Sequence, residues 1–301
     1  MFLPLDGKRF GKTNYGWSSN GFEAVEQSLT TTLLRSYRSR KLAAQGAARQ
    51  RNLLAMYEKL AESYARRLSY DVLHVVVQQE LLPFLWRGGH LGGRTFDVLM
   101  TALPMNELQA TLDAAAHRHP ESKTLGDFRA DNSLLEAESE ALRHSRKIVT
   151  PHTHIASLFG ERAELLAWKM PPPAPRDRPG NEKPVVVFPT STVGRKGCYE
   201  LRDALRGTEA KLITLGPHIE DADFWDGFDT VSGDENWLDN ADLVVLPAHV
   251  EHRPRRLLLA AASGIPVIAT PNCGVENIEG IKTVAAGDAL ELRSAIEEFL
   301  T

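Results

Sequence analysis

Cysteine is scarce, long apolar runs are missing, and basic charge is in deficit. The 301 residues include two cysteines, Cys198 and Cys273. That excludes a disulfide scaffold and a cysteine-rich zinc module. No run reaches the roughly 18 apolar positions a membrane span needs, and no signal peptide opens the chain. A cytoplasmic address is therefore expected. Lys and Arg number 35 against 39 Asp and Glu, a net charge of −4, which speaks against a nucleic-acid partner. Hydrophobic residues make up 43% of the chain, enough for ordinary cores and too many for a disordered polymer.

The charge is unevenly spread. Residues 184–301 hold 10 Lys+Arg against 19 Asp+Glu, a net −9, and residues 1–183 hold 25 against 20, a net +5. The sign changes at a segment with six prolines between positions 170 and 184, an extended, semi-rigid composition. Three parts are expected: a domain over 1–170, a linker over 171–183 and a domain over 184–301. In the first, Gly7-Lys8-Arg9-Phe10-Gly11-Lys12-Thr13 departs from a P-loop, because three residues rather than four separate the glycines. A glycine-rich turn or an N-terminal loop remain as readings.

From Phe22 to about Arg67 the pattern is helical, with Gly46 dividing it. Residues 31–70 carry nine basic and two acidic side chains. They form either a solvated face or a basic helix, led by Arg35, Arg38, Arg49 and Arg66, for peripheral contact with a membrane surface or a phosphorylated lipid. Tyr70–Val77 and Phe96–Thr101 read as strands, and Asn106 as the cap of a helix reaching His117. His152 and His154 follow the strand Lys147–Thr150. They lack a third partner for a metal site, which leaves a cleft role or a capping or surface role.

The second half is organised around Leu243–Gly274. Leu243-Val244-Val245-Leu246, closed by Pro247, is an apolar, β-branched run of the kind buried in a parallel sheet. Glu251 lies in the loop that follows. Arg255–Ser263 reads as a helix with Pro254 in its first turn and Gly264 as its stop. Pro266–Thr270 is the next strand, opening into Asn272-Cys273-Gly274. This is one right-handed βαβ unit, and ligands in such sheets sit beyond the carboxyl ends of the strands. Glu251, His252 and Asn272–Gly274 fall there. Earlier, Gly194-Arg195-Lys196-Gly197 lies between the strand Pro184–Pro189 and the helix Cys198–Leu205. Loop N–H groups and two cations at a helix start suit a diphosphate.

The ordered set GRKG, ADLVVLP, Glu251, SGIPVIAT and a glycine loop resembles the donor half of retaining family 4 glycosyltransferases with the GT-B fold. The resemblance is strongest over 184–301 and weaker over 70–170, where Asp71-Val72-Leu73-His74 is similar to a strand of the same enzymes. It implies an α/β fold of two Rossmann-like domains facing across a cleft. It implies that Glu251 contacts the donor sugar and that Arg195 and Lys196 stabilise charge on the departing diphosphate. Gly194, Gly197, His252, Asn272, Cys273 and Gly274 would line the donor. The family places a second glutamate eight positions after the first, for the ribose; Leu259 stands there. The family's histidine near the reacting centre is also absent, the strand here ending Ala102-Leu103-Pro104-Met105. The expected function is transfer of a sugar from a nucleotide-sugar donor to an unidentified acceptor, with retention and without metal or other cofactor. A non-catalytic GT-B-like scaffold and a nucleotide-sugar epimerase are the alternatives.

Overall fold

The computed structural model describes residues 1–8, 11, 16–42, 46–176 and 180–300. Positions 9, 10, 12 and 13 of the stretch compared with a P-loop lie outside the described residues, as do 177–179 of the proline-rich segment. The chain opens with β1 (Phe2–Leu3), β2 (Glu26–Gln27), α1 (Leu29–Arg40), α2 (Ala47–Ala65), β3 (His74–Gln78), α3 (Leu82–Arg87) and β4 (Thr95–Leu99). Next come α4 (Met105–Arg118), α5 (Asn132–His144), β5 (Lys147–Thr150), α6 (Thr153–Phe159) and β6 (Ala163–Leu165). The second half holds β7 (Val185–Phe188), α7 (Cys198–Leu205), β8 (Lys211–Thr214), β9 (Thr230–Ser232) and α8 (Trp237–Asn240). It ends with β10 (Leu243–Leu246), α9 (Arg255–Ala262), β11 (Val267–Ala269), β12 (Ile281–Thr283) and α10 (Ala289–Leu300).

These elements form two compact units, Met1–Leu99 with Asp127–Lys147, and Met100–Gly126 with Ile148–Thr301. The described residues of the proline-rich segment belong to the second unit, together with residues on both sides of it. In the first unit β3 and β4 pair in parallel from His74↔Thr95 to Gln78↔Leu99. Helices α1 and α2 pack together, as do α3 and α5. Gly46, read as a divider, stands before α2 with φ 107°.

The second unit is built on a six-stranded sheet in the order β12-β11-β10-β7-β8-β9. Every pairing in it is parallel. All residues of β7, β10 and β11 are buried, as their β-branched composition requires of central strands. The chain starts at β7, winds outward to β9, then returns to β10 on the other side of β7. The junction between β7 and β10 is thus the place where strand order reverses. Helices α7 and α10 pack on each other, and α9 packs on β10 and β11. The fold is α/β with parallel sheets, as the sequence pattern implies.

Candidate active site

Two segments at the carboxyl ends of β7 and β10 build the site. After β7 the chain enters a 3-10 turn, Gly194–Lys196, and Gly197 starts α7 from the left-handed region at φ 74°. A Cβ on Gly197 would stand 2.0 Å from Pro247 O. Only glycine permits that approach, and it brings the loop after β10 onto the turn. The N–H groups of His249 and Val250 both donate to Arg195 O, at 3.0 and 3.1 Å. Lys196 and Glu251 consequently meet. Lys196 Nζ donates to Glu251 Oε2 at 2.8 Å and to Val250 O at 2.9 Å.

Both side chains of this pair are largely buried. Burial raises the Glu251 carboxyl, but the charge and hydrogen bond of Lys196, with the Arg253 N–H 2.7 Å from Oε1, hold it below its ordinary value. Burial lowers Lys196, with Glu251 opposing and Arg195 adding to the shift. A second charged cluster fixes the same loop. Glu200 Oε1 lies 3.1 Å from His119 Nε2 and 2.9 Å from His249 Nε2. Burial raises Glu200, yet these two imidazoles outweigh it and bring the carboxyl to about 2. The hydrogen bond from His119 to Glu200 raises the His119 imidazole in turn.

The loop after β11 is held by internal bonds. Asn272 Nδ2 donates to His249 O at 2.8 Å. His152 is buried, and its Nε2 donates to Glu251 O and Asn272 O, each at 3.2 Å. Its Nδ1 accepts from Ile155 N–H, so it caps α6. Burial depresses the imidazole, which stays neutral. A Cβ on Gly274 would meet the His152 ring at 2.3 Å, so the open side of this glycine, expected to approach donor phosphate, is filled by imidazole. The Cys273 thiol is buried and pushed up to about 11, which makes it inert at neutral pH. His252 Nε2 accepts from Leu103 N–H at 3.3 Å, and burial, with Lys196 nearby, depresses it to about 3. The Gly194 N–H, expected to face an anion, donates to Thr124 Oγ1 at 2.9 Å and to Glu220 Oε1 at 2.6 Å.

A hollow of about 230 Å³ remains at the reversal point, bordered by Thr190, Leu246, Glu251, Arg253, Arg255 and Arg256. Larger hollows of about 650 and 460 Å³ open near Lys183 and Asp229, beside the amino ends of β7 and β9. The small one matters more here, because doubly wound sheets bind ligands at carboxyl ends where strand order reverses. Among the described residues, no group of three or more His, Cys, Asp or Glu is arranged to hold a metal ion.

Residues 199–301 match the family model described as Glycosyl transferases group 1. No curated protein matches this chain's sequence. Solved structures share its fold. A sucrose-phosphate synthase from Thermosynechococcus elongatus is 15% identical with a TM-score of 0.55, over 82% of this chain and 69% of that one. Anabaena HepE in complex with UDP is 12% identical with a TM-score of 0.51, over 81% and 72%. A UDP-forming α,α-trehalose-phosphate synthase from Burkholderia xenovorans, in complex with glucose-6-phosphate, is 12% identical with a TM-score of 0.50, over 88% and 74%. At these identities the likeness is one of fold. The fold is that of GT-B glycosyltransferases, and residues 199–301 resemble their group 1 members.

Within this site, Lys196 and Glu251 come into contact, and Gly197 makes the contact fit. Arg195 sits in the same turn, half-buried. Asn272, Cys273 and Gly274 are engaged by neighbouring protein groups. Arg253, Arg255 and Arg256 stand outside the motifs that point to the site. A signal was present: residues 212–252 contain no Lys or Arg, and three arginines follow within four positions.

Proposed function

We propose that this chain is a glycosyltransferase that moves a sugar from a nucleotide-sugar donor bound at the β7/β10 junction to an acceptor, with retention and without a metal. The observation that carries this is the hollow at the reversal point, with Glu251 in its wall and Lys196 2.8 Å behind that carboxylate. Glu251 presents a fixed, ionised acceptor to sugar hydroxyls. Lys196 and Arg195 supply positive charge near the bond that breaks, where a departing diphosphate gathers negative charge. The reading includes a cytoplasmic enzyme touching a membrane surface through 31–70, supported by exposed Leu33 and Tyr37 on the cationic α1.

Incubation with UDP-, GDP-, ADP- and dTDP-sugars tests it, with release of the nucleoside diphosphate as readout. Transfer or slow donor hydrolysis is the expected result; an isomerised sugar nucleotide would mean an epimerase instead. The scaffold reading draws on Leu259, which packs against the core in place of a second glutamate, and on the internal bonds of Lys196. It gains the field if no donor is turned over and no nucleotide raises the melting temperature.

A further inference from the structure

The β7/β10 hollow has an unusual charge balance. Its one carboxylate, Glu251, is engaged on both oxygens, by Lys196 Nζ at 2.8 Å and by the Arg253 N–H at 2.7 Å. Three arginines stand around the same space. Arg256 is committed to the protein, with Nη1 donating to Pro189 O at 2.7 Å and Leu215 O at 2.9 Å. The guanidinium groups of Arg253 and Arg255 are exposed and have no hydrogen bond or ion pair among the described residues. Thr190 also borders the hollow. The groups of the 194–197 turn that could hold an anion are largely engaged elsewhere: the Gly194 N–H by Glu220 and Thr124, and Lys196 by Glu251 and Val250.

We infer that the hollow is a phosphate seat in which Arg253 and Arg255 clamp a phosphoryl oxyanion. Resting on the donor reading above, that oxyanion is the diphosphate of the nucleotide sugar; a phosphate carried by the acceptor has the same chemistry. Each planar guanidinium can offer paired N–H donors to phosphoryl oxygens, a geometry lysine lacks. The volume of about 230 Å³ falls short of the roughly 300–1,000 Å³ of pockets enclosing a whole ligand. The seat therefore takes the charged core of the substrate. Glu251, already neutralised from behind, forms a wall the anion can approach without a net repulsive charge.

The probe is inorganic pyrophosphate, titrated calorimetrically into the full chain at low ionic strength. The wild type should bind it saturably. Arg253→Gln/Arg255→Gln should bind at least tenfold more weakly, with an unchanged melting temperature because neither guanidinium supports the fold. Arg253→Lys/Arg255→Lys should fall between, keeping the charge but losing the fork. Competition identifies the source: displacement by UDP, GDP, ADP or dTDP marks the donor diphosphate, and displacement by glucose-6-phosphate marks a phosphorylated acceptor. The inference is overturned if the wild type binds no pyrophosphate, if the Gln pair binds it as well as wild type, or if Lys196→Ala alone abolishes binding. Failures of the two ideas differ. Pyrophosphate binding that depends on the arginines, in a protein that turns over no donor, keeps the clamp and removes the transferase. Turnover unaffected by the Gln pair removes the clamp and keeps the transferase.

Discussion

Gly197 carries the site because the Lys196–Glu251 contact depends on how closely two backbones approach. Gly197→Ala places a Cβ 2.0 Å from Pro247 O in a residue at φ 74°. Backbone cannot yield as a side-chain tip can, so a loss of about 2–5 kcal/mol is expected in urea unfolding. Gly264→Ala is the control. It also has positive φ, at 72°, but nothing lies within 4 Å of the added atom, and about 1–2 kcal/mol should suffice. Equal losses would mean that close approach contributes nothing. For activity, Lys196→Ala should lower turnover by ~10²-fold or more, the scale of losing one charge-stabilising group. The same change leaves Glu251 without its cation, at a cost of about 3–5 kcal/mol. Rates must therefore be read well below the variant's melting temperature, and an unchanged rate there would remove Lys196 from the mechanism. That Lys196 and Glu251 follow the carboxyl ends of β7 and β10 was legible in the sequence, because the apolar runs before them mark the strands. His152 was not. Its partners, Glu251 O, Asn272 O and Gly274, lie about a hundred positions away, and no local pattern encodes them.

Helix α1 tests the basic segment. Leu33 is 65% exposed and Tyr37 59%, with Leu34 at 36%. Arg35, Arg38 and Arg40 share the helix, which contains no acidic residue. Lys41 sits 4.5 Å over the Tyr37 ring. Apolar side chains interleaved with cations suit the interface of an anionic bilayer, where each cation contributes about 1 kcal/mol. The chain should sediment with vesicles containing phosphatidylglycerol and remain free of pure phosphatidylcholine ones. Leu33→Glu/Tyr37→Glu should abolish the association; binding that survives it assigns the contact to another face. At this scale the long patterned elements were readable: α2, α7, β7, β10 and α9 follow from helical periodicity or continuous β-branched runs. Strands β6 and β9, of three residues each, were not. A run that short has no period of its own, and its pairing with β5 or β8 defines it. Strand β3 begins at His74 rather than Tyr70, since apolar content cannot tell where a ladder starts.

For the whole molecule, the net charge of −4 decides little about stability, because a few buried imidazoles outweigh it. His252 is depressed to about 3 and His152 is also lowered, both by burial, from an ordinary value of 6.5. Folded, His252 remains neutral down to about pH 3 and His152 takes up its proton at lower pH than when unfolded; unfolded, both take up protons once the pH falls below about 6.5. The unfolded state then binds more protons, and stability is lost as the pH drops, by up to about 1.4 kcal/mol per pH unit for each group. His119 has the opposite sign. The hydrogen bond to Glu200 raises its imidazole, so its contribution is complete below 6.5 and disappears as the pH climbs through the raised value. Glu200, near 2 when folded against an ordinary 4.5, adds a further loss only below about pH 4.5. Stability should consequently peak near pH 6.5 and fall on both sides. Urea unfolding at pH 5, 6, 7 and 8 measures this. His252→Gln should reduce the acid-side slope, because the amide can still accept from Leu103 N–H without gaining a proton when unfolded. His119→Gln should flatten the alkaline side and leave the acid side unchanged. A curve that rises steadily from pH 5 to 8 would mean that His119 and Glu200 do not pair in solution. An acid-side slope indifferent to His252→Gln would mean that this ring is solvated, and Leu103 would not be bonded to it.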